Sequence, residues 1–223
     1  MSKVPLFFSN KYGKYRFGRA HPFNPERFPN FAKLVQDDEG MNSAIELTKA
    51  PRAEDEDLEL VHTKEYIEEV YEMEESGDVL TLDTPVLTDA PEAARMIVGG
   101  SLEAAKRVNG EKTLLNMGGL HHAGRDSGEG FCIFNDVAVA AQYLANQGKK
   151  VCVYDTDAHQ GNGTMEIFYE TSDVLFVSLH QDPRTIYPGV GQVMEFGKGD
   201  GKGYTVNVPF PKKSNKTEYQ YAI

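Results

Sequence analysis

The second half of this chain predicts an α/β fold on a mainly parallel sheet with helices on both faces. Short continuous apolar runs alternate there with helical stretches, which is how strands buried on both faces read in sequence. Polar, chemistry-bearing clusters follow three of those runs, at the strand ends where such sheets bind ligands. At 223 residues the chain is long enough for one large domain with a substantial core, and residues 1–223 are read as a single domain.

Taken in order, the opening 22 residues are aromatic and basic, with Tyr12, Tyr15, Arg16, Phe17 and Arg19 around two glycines. HPFNPERFPNFAKLV is a proline-punctuated loop entering a helix near Arg27. Leu58, Val61, Ile67, Val70 and Met73 give residues 57–75 a broken helical pattern with an acidic outer face. Pro91 opens a second helix, PEAARMIVGGSLEAAKRV, whose Gly99–Gly100 pair predicts a close packing contact or a kink. Alternation then sets in. TLLNM (113–117) is a short strand, residues 135–148 a helix ending on glycine, and KVCVYD (150–155) a strand. Residues 163–172 form a short helix, DVLFVSLH (173–180) and GYTVNVP (203–209) are strands, and a last helix begins near Ser214.

Composition narrows the class. A hydrophobic share of 40% and a charged share of 26% suit a soluble globular protein. No apolar run is long enough to span a bilayer, and MSKVPLFFSNKYGKYRF lacks a signal peptide's apolar segment and cleavage site. A net charge of −11 argues against binding nucleic acid or an anionic membrane and is compatible with a cationic substrate or basic partner. The acidic stretches at 54–59 and 65–76 read as solvated helix faces. Cys132 and Cys152, the only cysteines, lie in apolar strand contexts and are expected to be buried and inert, in a reducing cytoplasmic compartment.

The chemistry concentrates in LLNMGGLHHAGRDSGEGFCIFND (114–136) and VCVYDTDAHQGNG (151–163). Hydrolysis at one metal ion needs such a set, with hard and borderline ligands on a rigid strand end and imidazoles to move protons. Alternate residues of a strand share a face, so Asp155, Asp157 and His159 start on one side. The carboxylate and imidazole of the last two suit a divalent ion, with Asp155 in a neighbouring role. The plainer alternative is a polar strand end capping a turn. His121–His122 fits either a surface turn or, after Gly118–Gly119, a loop folded into a pocket. A histidine base needs an orienting partner, and Asp155 and Asn162 are the polar side chains placed to serve. With Ser178 and His180 as a third cluster, all three are predicted to converge on one rim.

The runs GGLHHA…GFCIFND, VYDTDAHQGNGT, VSLHQDPRTIYPGVG and GKGYTVNVP, with HPFNPERF and DLELVHTKEYIEEV upstream, resemble the zinc-dependent histone-deacetylase superfamily. The acetoin-utilisation-type prokaryotic members are included, and the likeness covers essentially the whole chain in order. It implies an arginase/deacetylase-like fold and, motif by motif, Asp157 and His159 as zinc ligands. His121 and His122 are then the tandem histidines flanking the attacking water. His122 is implied as general base with Asn162 as its partner, and His121 as the proton-shuttling or electrostatic member paired with Asp155. Gln160 stands where the family usually has a second histidine that is not a ligand. Phe131 and Tyr187 match the aromatic pair walling an acyl-lysine tunnel, Tyr187 standing where Phe is more usual, and Gly130 allows close backbone approach. Asp83 in LDTPVL matches more loosely a rim aspartate that holds the substrate backbone, a plain loop aspartate being the alternative. Arg27 resembles an arginine lining the channel behind the metal. Two structural potassium sites are implied as well: Asp155, Asp157, His159, Ser178 and Leu179 in one, Phe168, Thr171, Val174 and Tyr204 in the other.

The implied substrates are acetyl-lysine or an acetylated small amine. The family pattern also calls for a third metal ligand, an aspartate, and for a carbonyl-polarising tyrosine in a glycine-rich loop. Residues 181–223 offer no convincing match: Asp182 and Asp200 lie in the wrong motifs, and Tyr219 and Tyr221 fall in the last helix. The fold is therefore expected to be C-terminally incomplete and the chain inactive or weak by itself, with a companion chain or homo-oligomer to complete it. Two alternatives stand beside this reading. One is a catalytically silent module that binds acyl-lysine or a partner. The other is an arginase-like binuclear manganese hydrolase, which needs an aspartate where this chain has Gly161.

Overall fold

The computed structural model describes residues 3–108 and 113–222. The chain divides into two compact units, Met1–Tyr143 and Leu144–Ile223.

In the first unit, β1 (Val4–Phe8) pairs in parallel with β2 (Ile45–Lys49) and with β5 (Leu115–Asn116). β1 and β2 are strands that the sequence reading missed. VPLFF was absorbed into an aromatic, basic opening segment, and IELTK directly follows α2 (Glu39–Ala44) with no glycine or proline between them. A short antiparallel ribbon joins β3 (Val79–Thr81) to β4 (Thr84–Pro85). α1 (Arg27–Asp37) begins at the residue expected.

The broken pattern over 57–75 resolves into two helices, α3 (Asp55–Leu58) and α4 (Lys64–Ser76). The break falls at Thr63, whose hydroxyl accepts the Tyr66 N–H at 3.2 Å and caps α4, while left-handed Gly77 ends it. α5 (Ala90–Arg107) runs unbroken through Gly99–Gly100, so the pair serves contact. A Cβ on Gly99 would lie 2.1 Å from the Pro51 carbonyl oxygen, and one on Gly100 2.4 Å from the Tyr12 hydroxyl. Phe7, Tyr12, Leu58, Val70, Ile97 and Phe134 are fully buried in this unit. Arg95, equally buried, is satisfied by Tyr71, the Ala53 carbonyl and Asp55, as a buried guanidinium must be. α6 (Asp136–Asn146) follows, within the span expected for it.

In the second unit, β6 (Val151–Asp155), β7 (Val174–Gln181) and β8 (Thr205–Phe210) form a parallel sheet in that order. α7 (Asn162–Phe168) links the first two strands, and α8 (Lys216–Ala222) follows the third. Register pairs Tyr154 with Val177 and Val177 with Val206. Along this cross-strand row Tyr154 is 50% exposed and Val206 40%. Cys152, two residues before Tyr154, shares that face and is exposed, which corrects the expectation of two buried cysteines; Cys132 is buried. Among the described residues no helix is long and apolar enough to cross a membrane.

Candidate catalytic residues in the two units

Gly118 and Gly119 leave β5 and turn the chain toward the tandem histidines. Gly119 takes φ +101°, and a Cβ on Gly118 would sit 1.9 Å from an Asp136 carboxylate oxygen. His121 and His122 are 7% and 6% exposed, which settles the loop as buried rather than a surface turn. Their Nε2 atoms are 3.1 Å apart. One ring therefore donates its N–H to the lone pair of the other, and the two imidazoles hold different tautomers when neutral.

The predicted tunnel-wall residues of this unit also come together. Phe131 has φ 69° after Gly130 at φ 56°, and its N–H donates to the Thr84 hydroxyl at 3.0 Å. The same hydroxyl donates to Asp83 Oδ1 at 2.9 Å, so Asp83 and Phe131 share one anchor. His21, which the sequence reading passed over, receives the Phe23 N–H on Nδ1 and donates from Nε2 to the Asp83 carbonyl. Its ring meets Phe131 edge-on at 4.6 Å. Arg27 is exposed at the start of α1, with its guanidinium 5.5 Å from the Phe23 ring centre.

Behind the loop lies His62, 3% exposed, accepting the Asn135 N–H on Nε2 at 2.9 Å. Burial lowers its pKa from the ordinary histidine value to about 4, so it stays neutral. Burial likewise raises the Asp136 carboxyl above the ordinary carboxylate range, opposed by hydrogen bonds from Ser101, Leu120 and Gly119.

In the second unit, Asp155 ends β6, while Asp157 and His159 lie beyond it in successive turns. Asp155 Oδ1 accepts the Asp157 N–H at 3.0 Å, and Asp157 Oδ1 accepts the His159 N–H at 2.8 Å. Asp157 and His159 thus leave the strand instead of extending it, and the turn-capping alternative describes part of what the carboxylates do. Asp157 Oδ1 also stands 3.1 Å from His159 Nδ1, with side-chain exposures of 53% and 41%. Asn162 opens α7, and the Tyr187 ring centre is 6.2 Å from that of His159.

Ser178 is level with Asp155 in the sheet, so two of the three predicted clusters adjoin. His180, however, is a buried structural residue. Its Nε2–H donates to the Gly191 carbonyl and its Nδ1 accepts from the Ser178 hydroxyl, both at 2.9 Å, while burial lowers its pKa. Leu179 is buried on β7. Phe168 ends α7, Thr171 and Tyr204 precede β7 and β8, and Val174 begins β7. The Phe168 carbonyl accepts the Thr171 N–H and the Tyr204 carbonyl the Phe176 N–H.

Two donors at about 2.05 Å from tetrahedral zinc sit about 3.3 Å apart. The 3.1 Å between Asp157 Oδ1 and His159 Nδ1 matches that bite, and carboxylate plus imidazole is the right chemistry. Among the described residues no group of three such side chains is placed to hold an ion. The residues therefore fit zinc as a pair.

A parallel α/β framework with buried tandem histidines and a carboxylate–imidazole pair beyond a strand end has the features of a deacetylase-like fold. The chain aligns with a solved histone-deacetylase homologue from Aquifex aeolicus at TM-score 0.82 and 33% identity, covering 99% of this chain and 63% of that one. It aligns with acetylpolyamine aminohydrolase from Burkholderia pseudomallei at TM-score 0.83 and 26% identity, over 98% of this chain and 75% of the other. The histone deacetylase domain model matches residues 21–223, and the chain belongs to that family. It is 40% identical over 218 residues to the acetoin utilization protein AcuC of Bacillus subtilis, a match covering 92% of this chain and 56% of AcuC. The chain thus spans little more than half the length of that relative.

Proposed function

We propose that this chain supplies the tandem histidines and two metal ligands of a zinc-dependent deacetylase acting on acetyl-lysine or an acetylated small amine. The observation that carries the reading is the buried His121–His122 pair, ring nitrogen to ring nitrogen, in a chain of the histone deacetylase family. Zinc, when bound, polarises the amide carbonyl and acidifies water. Asp157 and His159 would hold it.

His122 accepts the proton of the attacking water. Its contact with His121 gives that proton a second nitrogen to move to before it is returned to the departing amine, so that acetate and a free amine leave. Asp155 and Asn162 keep the partner roles that family membership implies. Phe131, Gly130 and Tyr187 keep the acyl-slot roles that family membership implies, as do Asp83 for the substrate backbone and Arg27 for the channel. Potassium at the two sites implied by family membership and a cytoplasmic location belong to the same reading.

Catalytic zinc sites use three protein ligands. We infer that the third ligand and the carbonyl-polarising group come from outside these 223 residues, which leaves this chain by itself weak or silent. Zinc content by elemental analysis, with acetate release from an acetyl-lysine peptide measured alongside, tests both parts. Substoichiometric zinc and little turnover are expected. Stoichiometric zinc with turnover would overturn the inferred shortage and leave the deacetylase reading standing; stoichiometric zinc without turnover would overturn the missing ligand alone, and a chain that binds no zinc at all would count against that reading.

A partner-binding role is the second reading, and the exposed row of Tyr154 and Val206 favours it. Analytical ultracentrifugation should show self-association, or capture of a companion chain. A clean monomer retires this reading.

A further inference from the structure

The tandem histidines sit in a loop held on both sides by one dipeptide. Asn135 and Asp136 are adjacent at the start of α6, and both are buried, at 0% and 1% exposure. Asp136 Oδ1 accepts the Gly119 N–H at 3.0 Å and the Leu120 N–H at 2.7 Å, the two peptide groups just before His121. Its other oxygen accepts the Ser101 hydroxyl from α5. Asn135 takes the opposite side. Its Nδ2 donates to the carbonyl of Ala123, the residue after His122, at 2.9 Å. Its Oδ1 caps α6 by accepting the Ala138 N–H, and its own N–H is fixed by His62.

The backbone is thus pinned one residue before His121 and one residue after His122. No side chain fits at Gly118 while the carboxylate is in place. A buried carboxylate is costly, and Asp136 offsets that with three donors and a position in the first turn of a helix, where the macrodipole favours negative charge. The cost makes sense where a geometry must be kept. A proton relay between two imidazoles depends on their separation, and catalytic groups tolerate errors of only about 0.5 Å.

We propose that Asn135 and Asp136 are positioning residues that fix the spacing and tautomers of His121 and His122, with His62 and Ser101 holding the clamp in turn. What the histidines do chemically rests on the deacetylase reading; the clamp itself does not.

The test uses the full chain, and the readouts that decide the clamp need no turnover. Long-range 1H–15N spectra of the imidazoles report the tautomer of each ring. In wild type, His121 and His122 should show two different tautomers, and the Gly119 and Leu120 amides should exchange at least ~100-fold more slowly than unprotected ones. In Asp136→Ala, with the circular dichroism of a folded protein, the ring signals should move toward tautomer averages. Asp136→Asn retains an acceptor for the two amides and should restore the wild-type pattern. A folded Asp136→Ala with unchanged ring signals overturns the proposal, because a merely structural role would lower stability and leave the tautomers alone. Should that variant not fold, the wild-type exchange rates decide: fast exchange at Gly119 and Leu120 also overturns it. Ring signals that respond as expected, beside a His122→Ala variant that keeps deacetylase turnover, would uphold the clamp and discard the assignment of the base.

Discussion

His121 and His122 are 7% and 6% exposed and lie between backbone positions pinned by Asn135 and Asp136 at the start of α6, whereas the side chains of Asp157 and His159 are 53% and 41% exposed and stand 3.1 Å apart. One region gets its geometry from long-range packing. In the other, Asp155 and Asp157 each accept the N–H of the residue two further on. A base needs a fixed tautomer and an exact approach, which burial and distant anchors provide. A metal-ligand pair needs donor atoms that an ion can reach, and local turns are enough to hold them until it arrives. The first region should therefore couple function to stability and the second should not.

The largest test of this contrast is turnover. In a preparation completed by the outside ligand and carbonyl-polarising group, so that it hydrolyses an acetyl-lysine peptide, His122→Ala should lower kcat by about 100- to 10,000-fold, the range for losing a general base. It should also lower the melting temperature, since the side chain is buried. An unchanged kcat would remove His122 from the chemistry; a lost kcat with an unchanged melting temperature would break the coupling argued for the first unit.

The second test is pH. Folded His62 has a pKa near 4, below the ordinary 6.5 of an unfolded chain. Between those values the unfolded state binds more protons, so stability rises with pH through this window. The contribution is fully present above about pH 6.5 and is lost as pH falls toward 4, about 3 kcal/mol in all. Urea unfolding at pH 7 and at pH 4.5 should show the loss in the wild type, and His62→Gln should flatten its slope. Equal slopes would mean that His62 is not the group being protonated.

This contrast also separates what was legible in the chain from what was not. The strands and helices after Pro91 could be read because short apolar runs alternate there with helical stretches. The roles of Asp155, Asp157 and His159 as neighbours could be read because they are neighbours in sequence. The clamp could not, since it joins residues 62, 101, 119, 123 and 136, and nothing local marks a carboxylate as an anchor for a loop 16 residues away. A partial signal was present: Asn135–Asp136 before an apolar helical run is a capping pattern. Thr84 and His21, which tie Asp83 to Phe131, were missed for the same reason, as their bonds reach across 47 and 62 residues. Aromatic composition hid β1, β2 was hidden because it directly follows α2, and Cys152 looked buried because its run is apolar although one face of its sheet is open.

A third test probes the clamp through packing. Gly118→Ala places a methyl group 1.9 Å from the Asp136 carboxylate, so one of them must move. The expected cost is about 1–3 kcal/mol of stability, the usual penalty for overpacking. Combined with Asp136→Ala, which vacates the space, Gly118→Ala should cost much less than it does alone. Additive effects in this double-mutant cycle would mean that the loop does not depend on the contact.

The smallest expected effect is the most discriminating. Asp157→Ala removes a side chain that is 53% exposed, so thermal unfolding should change by no more than about 0.5 kcal/mol. Zinc binding by the same variant should weaken by more than about 100-fold, since losing a ligand costs more than the 10- to 100-fold typical of an outer-shell loss. His159→Ala should behave alike, because a pair that binds by bite loses its advantage when either donor goes. If Asp157→Ala instead unfolds the second unit, its carboxylate is a structural cap first and the metal assignment loses its support. If stability holds and zinc affinity does not change, the 3.1 Å pairing is a turn motif alone, and the ligands must be sought elsewhere in the chain.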